Sequence, residues 1–157
     1  MHRFFPFLFI VLLAGCSQSG RLSGLVPAQG VVKFNGEVVA GADITFSPSG
    51  DARPGTATTD ASGKFSLMTL NPGDGIYPGE YTVTVKKTEV TGEYKRGRVN
   101  GKFVAEDTRQ YIEHLPAKYG AITTSDIKLT ISPKGDKNIE INLAGEVSTK
   151  PAKLPQR

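Results

Sequence analysis

Alternation of apolar and polar residues constrains the fold of this chain most strongly. The segments 80–86 and 139–143 show it clearly, with an apolar side chain at every second position, and helical spacing is nearly absent. A period of two places successive side chains on opposite faces of a strand, so each strand can bury one face in a core. The pattern therefore predicts a chain of β-strands and excludes a helical bundle.

Turn-forming residues separate the predicted strands. Asn35-Gly36 follows an alternating segment directly, and this pair readily adopts the positive φ angles of a type I′ hairpin turn. Asp60 and Gly63 bracket a second turn, where the aspartate can accept backbone N–H groups and the glycine can take a left-handed conformation. We expect a hairpin at each of these two places.

Seven or eight strands with this turn spacing predict an all-β fold, a sandwich of two sheets of the Ig-like type. The 18 glycines and 10 prolines among 157 residues fit a turn-rich β protein. The formal net charge of +4 is spread along the chain, so no nucleic-acid surface is expected.

An uncharged apolar segment, residues 4–15, follows His2 and Arg3 at the amino terminus. A membrane-spanning helix needs about 20 apolar residues, and polar residues from Ser17 onward end this segment well short of that length. The segment is typical of the apolar region of a cleaved signal peptide. We expect export without a permanent transmembrane anchor.

The segment ends in Leu13-Ala14-Gly15-Cys16, which resembles the lipobox of bacterial lipoproteins. The resemblance implies that residues 1–15 are removed and that Cys16 carries diacylglycerol and an amide-linked acyl chain such as palmitate. Two or three such chains anchor a protein stably to a membrane. By analogy with lipoprotein sorting, Ser17 favours the outer membrane, with the domain facing the periplasm or the cell surface. The alternative is an ordinary secretory signal that happens to contain a cysteine.

The predicted organisation has four parts. A signal peptide (1–15) precedes a lipidated flexible tether (16–28), which leads into a β-sandwich (29–143), and a disordered basic tail (144–157) follows. Within the sandwich, residues 88–114 break the alternation and form a polar insertion. We expect this insertion to be either a long hairpin or a mobile excursion.

Several sequence blocks coincide with the predicted turns and strands. They are 30–42, 44–48, 57–65, 78–83, 115–119 and 124–125. In these blocks the chain resembles small bacterial lipoproteins whose mature part is a carboxypeptidase regulatory-like domain, similar in fold to transthyretin. The resemblance implies a transthyretin-like β-sandwich in the cell envelope, in a fold whose members act as accessory, adhesion or carbohydrate-binding modules. It does not explain the polar insertion.

Few residues are available for catalysis or for metal binding. If Cys16 is lipidated, the mature chain keeps one histidine, His114, and no thiol, so we predict no enzyme activity, no catalytic residue and no cofactor. Loop residues such as Asp60, Asn71 and Asp74 form no recognised ligand pattern, and no metal site is predicted. An enzyme site built from Asp, Glu, Lys and Tyr without a recognisable motif is the alternative.

The polar insertion offers the best candidates for ligand binding. It combines Tyr94, Phe103 and Tyr111 with five basic residues, but it also contains five acidic residues, which favours a solvated surface of mixed sign. The main hypothesis is a non-enzymatic, lipid-anchored structural or interaction module of the cell envelope, with an envelope protein or a glycan as its partner. The alternative is a carbohydrate- or peptidoglycan-binding module that uses these three aromatic residues.

Overall fold

A computed structural model describes residues 22–147 and 152–153, so Cys16 and the signal segment lie outside the described residues. The strands are β1 (Ala28–Phe34), β2 (Glu37–Val38), β3 (Asp43–Pro48), β4 (Gly55–Thr58), β5 (Lys64–Ser66), β6 (Gly79–Lys86), β7 (Thr88–Thr91), β8 (Tyr94–Val99), β9 (Lys102–Asp107), β10 (Gln110–Glu113), β11 (Lys128–Ile131), β12 (Asp136–Leu143) and β13 (Ala152–Lys153). A 3₁₀ turn covers Ala117–Gly120. Across this part of the chain, no helix is long and apolar enough to cross a membrane. The predicted all-β class is confirmed.

Two four-stranded sheets form the body of the domain. In the first sheet, β1 pairs with β12 along one edge and with β2 and β5 along the other. In the second sheet the strand order is β11-β6-β3-β4, and all neighbours are antiparallel. The pairing of β1 with β12 is parallel, so the first long strand and the last one lie side by side and close the domain.

The two sheets share one hydrophobic core. Phe46 of the second sheet lies 6.3 Å from Phe65 of the first sheet and 5.8 Å from Tyr81, measured between ring centroids. Val32 and Ile141 contribute fully buried side chains from the first sheet. Apolar faces packed against each other in this way make the fold a β-sandwich, as the alternation predicted.

The two predicted turns are present, but the second predicted hairpin is only partly paired, through backbone hydrogen bonds between Thr56 and Met68 and from Asp60 to Lys64. Asn35 and Gly36 have φ angles of 49° and 89°, as a type I′ turn requires, and β1 pairs with β2 across them. The Asp60 carboxylate accepts the N–H groups of Ser62 (2.8 Å) and Lys64 (2.9 Å), which closes the second turn. However, β4 joins the second sheet and β5 the first, because the chain crosses between the sheets at this turn.

Both predicted domain boundaries are also displaced. Val26, in the predicted tether, exchanges backbone hydrogen bonds of 2.8 and 3.0 Å with Ile76, so the folded domain begins before residue 29. At the other end, β13 pairs with β10, although the tail from residue 144 was expected to be disordered. Backbone pairing stabilises both segments, and neither has the apolar periodicity that would predict it.

The polar insertion is one long two-stranded hairpin, residues 88–113, which we call the ribbon. Strands β7 and β10 pair at its base and β8 and β9 at its far end, and the ladder is interrupted between them at residues 92–93 and 108–109, where Gly92 has a φ of 81°. The chain reverses at Asn100 and Gly101, whose φ angles are 51° and 76°. At about 3.3 Å per residue, the ribbon is about 40 Å long. This confirms the long hairpin that was expected as one of two alternatives.

The ribbon and the amino-terminal entry of the chain lie at opposite ends of the sandwich. The ribbon starts at Thr88, two residues after Lys86, which pairs with Asp43 at the end of β6. Val26 pairs with Ile76, just before the other end of β6 at Gly79. Val26 therefore lies at the end of the sandwich remote from the ribbon.

Candidate functional site

The register of the ribbon places two of the three predicted aromatic residues, Tyr94 and Phe103, on one face. Residues directly opposite each other in an antiparallel pair share a face, and residues two apart along a strand do so as well. Tyr94 pairs with Asp107 and Arg98 pairs with Phe103, whereas Tyr111 lies in β10, where it pairs with Val90 beyond the interruption at residues 108–109. We define the aromatic face as Tyr94, Arg96, Arg98, Phe103, Asp107 and Arg109.

Arginine side chains lie over the aromatic rings of this face. The guanidinium carbon of Arg98 is 4.3 Å from the centroid of the Phe103 ring, and those of Arg96 and Arg109 are 5.5 and 5.2 Å from the centroid of Tyr94. These distances are typical of cation–π contacts. Arg96 also donates a hydrogen bond from Nε to the Tyr94 hydroxyl at 3.0 Å, which raises the pKa of Arg96. The rings therefore hold the guanidinium groups in place.

Arg109 forms an ion pair within the face. Its Nε and Nη2 atoms donate to the two carboxylate oxygens of Asp107 at 2.9 and 2.8 Å, and its backbone N–H donates at 3.1 Å. The hydrogen bonds from the guanidinium lower the pKa of Asp107 to about 2, and they raise the pKa of Arg109. Asp107 therefore stays ionised at neutral pH, and the charge of Arg109 is compensated.

Unlike Arg109, Arg96 and Arg98 have no carboxylate that compensates their charge among the described residues. Among the described residues, neither has a carboxylate within 4.0 Å. The outer part of the aromatic face, residues 93–109, carries three arginines against one aspartate, a formal charge of +2. The two uncompensated guanidinium groups account for this charge.

The opposite face of the ribbon has a different composition. Lys95 forms an ion pair with Glu93 at 2.9 Å, and Lys102 and Glu106 lie on the same face. Two lysines against two glutamates give this face a formal charge of zero over residues 93–109. The charges that alternate in sign along the sequence are therefore sorted into one basic face and one neutral face.

Exposure distinguishes the three aromatic residues. Phe103 keeps 78% of its surface exposed and Tyr94 keeps 44%, whereas Tyr111, near the base of the ribbon, is half-buried. The rings of Phe103 and Tyr94, toward the far end of the ribbon, are thus the most accessible to a ligand.

One pair of residues in the sequence indicates which residues of the ribbon face each other. Asn100-Gly101 has the same turn chemistry as Asn35-Gly36, and a turn at this pair fixes the register of the two strands.

His114 lies at the base of the ribbon and does not belong to the aromatic face. Its Nε2 atom is 2.8 Å from a carboxylate oxygen of Glu89, and both side chains are substantially exposed. The backbone N–H of His114 donates to the carbonyl oxygen of Lys87 at 2.8 Å, which continues the ribbon pairing toward the sandwich. The backbone hydrogen bond between His114 and Lys87 therefore helps to position the base of the ribbon.

The loop residues considered for metal binding have structural contacts. The two carboxylate oxygens of Asp74 accept the backbone N–H groups of Thr69 (2.7 Å), Leu70 (3.0 Å) and Asn71 (2.9 Å). Burial alone would raise the pKa of Asp74, but these hydrogen bonds outweigh it and lower the pKa. Over residues 22–147, no three His, Cys, Asp or Glu side chains are grouped as metal ligands.

No protein-family model matches this chain, and no curated protein matches it. The chain is similar to the crystal structure of a candidate carbohydrate-binding protein from Pseudomonas aeruginosa, with 13% sequence identity and a TM-score of 0.37. The similarity covers 78% of this chain and 89% of that one. The architecture described above rests on the strand pairing of this chain itself.

Proposed function

We propose that this chain is a non-enzymatic carbohydrate-binding module and that the aromatic face of the ribbon is its contact surface. The observation that carries this proposal is the presence of exposed Tyr94 and Phe103 on one face with three arginines. A flat ring offers apolar surface to the C–H face of a sugar, and guanidinium groups donate hydrogen bonds to its oxygen atoms. Peptidoglycan is one ligand of this class.

The position of the ribbon supports a binding role. In the part of the chain that the structure describes, its outer strands β8 and β9 pair only with each other, and all residues from 94 to 106 are exposed. Side chains that are held in place by cation–π contacts lose little conformational freedom when a ligand binds. The sandwich provides the rigid support, and the ribbon presents the surface.

We further propose that the module is attached to a membrane of the cell envelope through lipid on Cys16. The sequence Leu13-Ala14-Gly15-Cys16 supports this attachment. The entry of the chain at Val26, remote from the ribbon, fits the same arrangement, because an anchored domain would direct the aromatic face away from its own membrane. Because Ser17 follows the cysteine, we propose the outer membrane as the place of attachment.

Removal of the aromatic rings tests the binding proposal. Tyr94→Ala, Phe103→Ala and Tyr111→Ala are combined in the full chain, and binding to peptidoglycan and to a panel of polysaccharides is measured by co-sedimentation. We expect a loss of roughly tenfold or more in affinity for the ligand that is bound. Val99→Ala with Val104→Ala is the matched control, because these exposed side chains lie on the opposite face of the ribbon.

Two results would contradict the binding proposal. Unchanged affinity of the aromatic variant would place the site elsewhere, and equal losses in both variants would indicate a general effect on the ribbon. Circular dichroism of each variant verifies that the sandwich is folded.

Membrane attachment has a separate test. Cys16→Ala should release the protein from the membrane fraction or leave it as unprocessed precursor, whereas the native chain should sediment with membranes. Membrane retention of this variant together with normal signal cleavage would refute lipid attachment at Cys16.

A further inference from the structure

We infer that the ligand of the aromatic face is an acidic polysaccharide, whose carboxylate or phosphate groups are bound by Arg96 and Arg98. This inference rests on the proposed carbohydrate-binding function and names the class of sugar that the face selects. The observation that carries it is the pair of positioned guanidinium groups without an acidic partner among the described residues.

The two arginines form a regular array on the ribbon. They are two residues apart on β8, so their Cα atoms are separated by about 6.6 Å and both side chains project from the same face. Tyr94 holds Arg96 through its hydroxyl at 3.0 Å, and Phe103 holds Arg98 through its ring at 4.3 Å. A guanidinium group presents its donors in a planar fork that matches the oxygen atoms of a carboxylate or a phosphate.

Two of the three neighbouring basic residues of the ribbon have an acidic partner within the ribbon. Arg109 is bound to Asp107 and Lys95 to Glu93, at 2.8 and 2.9 Å. The formal charge of +2 on the outer aromatic face therefore belongs to Arg96 and Arg98. A neutral sugar would leave this charge uncompensated, whereas an acidic one would neutralise it, and the attraction between ligand and face would weaken as salt increases.

An anionic membrane surface fits the ribbon less well than a polysaccharide. The apolar residues near the turn are divided between the two faces of the ribbon: Phe103 lies on the aromatic face, and Val99 and Val104 lie on the other face. The guanidinium group of Arg98 also lies over the Phe103 ring. Insertion into a bilayer would require a continuous apolar tip. The basic and aromatic residues instead extend along the ribbon from Arg109 to the turn, which suits an extended polymer.

The test uses the full chain held in nanodiscs of zwitterionic lipid, so that its amino-terminal segment is accommodated. The probes are polygalacturonate, which carries carboxylates, phosphomannan, which carries phosphates, neutral dextran, and vesicles of anionic phosphatidylglycerol. Two variants remove the same charge from opposite faces: Arg96→Gln with Arg98→Gln, and Lys95→Gln with Lys102→Gln. Affinity is measured at low and at physiological salt.

We expect at least one acidic polysaccharide to bind, with an affinity that falls as salt rises and falls roughly tenfold or more in the arginine variant. The lysine variant should retain affinity within about twofold, because its charges lie on the other face. The acidic polysaccharide that is bound with the higher affinity shows whether the face selects carboxylate or phosphate groups.

Other results would overturn the inference. Equal losses in the two variants would indicate unspecific attraction by net charge. Binding of dextran with no preference for either acidic polymer would refute the acidic ligand and leave the proposed carbohydrate-binding function intact. Binding to the anionic vesicles alone would refute both the acidic polysaccharide and the proposed carbohydrate-binding function. It would instead assign the aromatic face to membrane binding.

Discussion

The hydroxyl group of Tyr119 forms two hydrogen bonds with the backbone of Ala144, donating to its carbonyl oxygen at 3.0 Å and accepting from its N–H at 3.1 Å. Tyr119 is buried in the 3₁₀ turn that follows the ribbon, and Ala144 directly follows β12. This contact joins the chain leaving the ribbon to the first sheet. It therefore holds the base of the ribbon against the sandwich.

Replacement of Tyr119 by Phe should destabilise the domain by about 1–3 kcal/mol, because it leaves both backbone groups of Ala144 without these partners. Urea unfolding of the full chain measures this loss. Tyr77→Phe is the control, since no hydrogen bond of the Tyr77 hydroxyl occurs within residues 22–147, and it should change stability by less than about 0.5 kcal/mol. Equal stability of the native chain and Tyr119→Phe would show that the contact contributes nothing.

The close approach of β1 and β12 gives a second prediction. A Cβ atom on Gly30 would collide with the carbonyl oxygen of Ile139, which belongs to a paired backbone and cannot move aside. Gly30→Ala should therefore cost about 3 kcal/mol or more, or prevent folding. Gly50→Ala lies in open space and should be tolerated. Thermal unfolding of both variants measures the difference, and equal midpoints would contradict the parallel pairing.

The turn at the end of the ribbon gives a third prediction. Gly101 has a φ of +76°, which a β-branched side chain adopts only with strain. Gly101→Val should speed amide hydrogen exchange in β8 and β9 by roughly tenfold, which corresponds to strain of about 1–2 kcal/mol, and leave exchange in the sandwich unchanged. Gly97→Ala, with open space and no positive φ, should leave exchange in the ribbon nearly unchanged. Unaltered exchange in Gly101→Val would contradict this turn.

The ion pair on the aromatic face predicts a specific pH dependence. Because the pKa of Asp107 is lowered from its ordinary value of 3.8 to about 2, the ion pair stabilises the folded chain fully above pH 3.8. That contribution is lost as the pH falls toward 2. Titration of the Asp107 carboxyl carbon by NMR should show the low midpoint, and Arg109→Gln should raise the midpoint toward 3.8. Arg53→Gln, in a distant loop, should leave it unchanged, and a midpoint near 3.8 in the native chain would contradict the pair.

Local patterns in the sequence predicted the strands and their buried faces. The alternation at Tyr81, Val83 and Val85 identifies a core strand, and all three side chains are buried. The pair Asn35-Gly36 predicts its hairpin because only residues that tolerate positive φ fit the turn. Such features depend on neighbouring residues alone.

Partners that are distant in the sequence could not be predicted in this way. Periodicity shows which face of β5 is buried, but not that β5 pairs with β1 rather than with β4. The parallel pairing of β1 with β12 joins segments about a hundred residues apart and leaves no local signal.

The charge distribution on the two faces of the ribbon could not be predicted from the sequence either, because it depends on strand pairing. Arg96, Arg98 and Arg109 are mixed with acidic residues along the sequence, and only the register across Asn100-Gly101 sorts them onto one face. The three aromatic residues were predicted as a group because of their type. That Tyr94 and Phe103 share a face follows from the strand pairing that begins at the turn.

Carbohydrate binding at the aromatic face of the ribbon is a claim that can be tested residue by residue. Backbone amide NMR of the full chain, recorded while the bound polysaccharide is added, shows which residues contact the ligand. We expect chemical-shift changes at Tyr94, Arg96, Arg98 and Phe103, with much smaller changes at Lys95 and in the sandwich. Changes confined to the sandwich, or no changes with any polysaccharide, would contradict the claim.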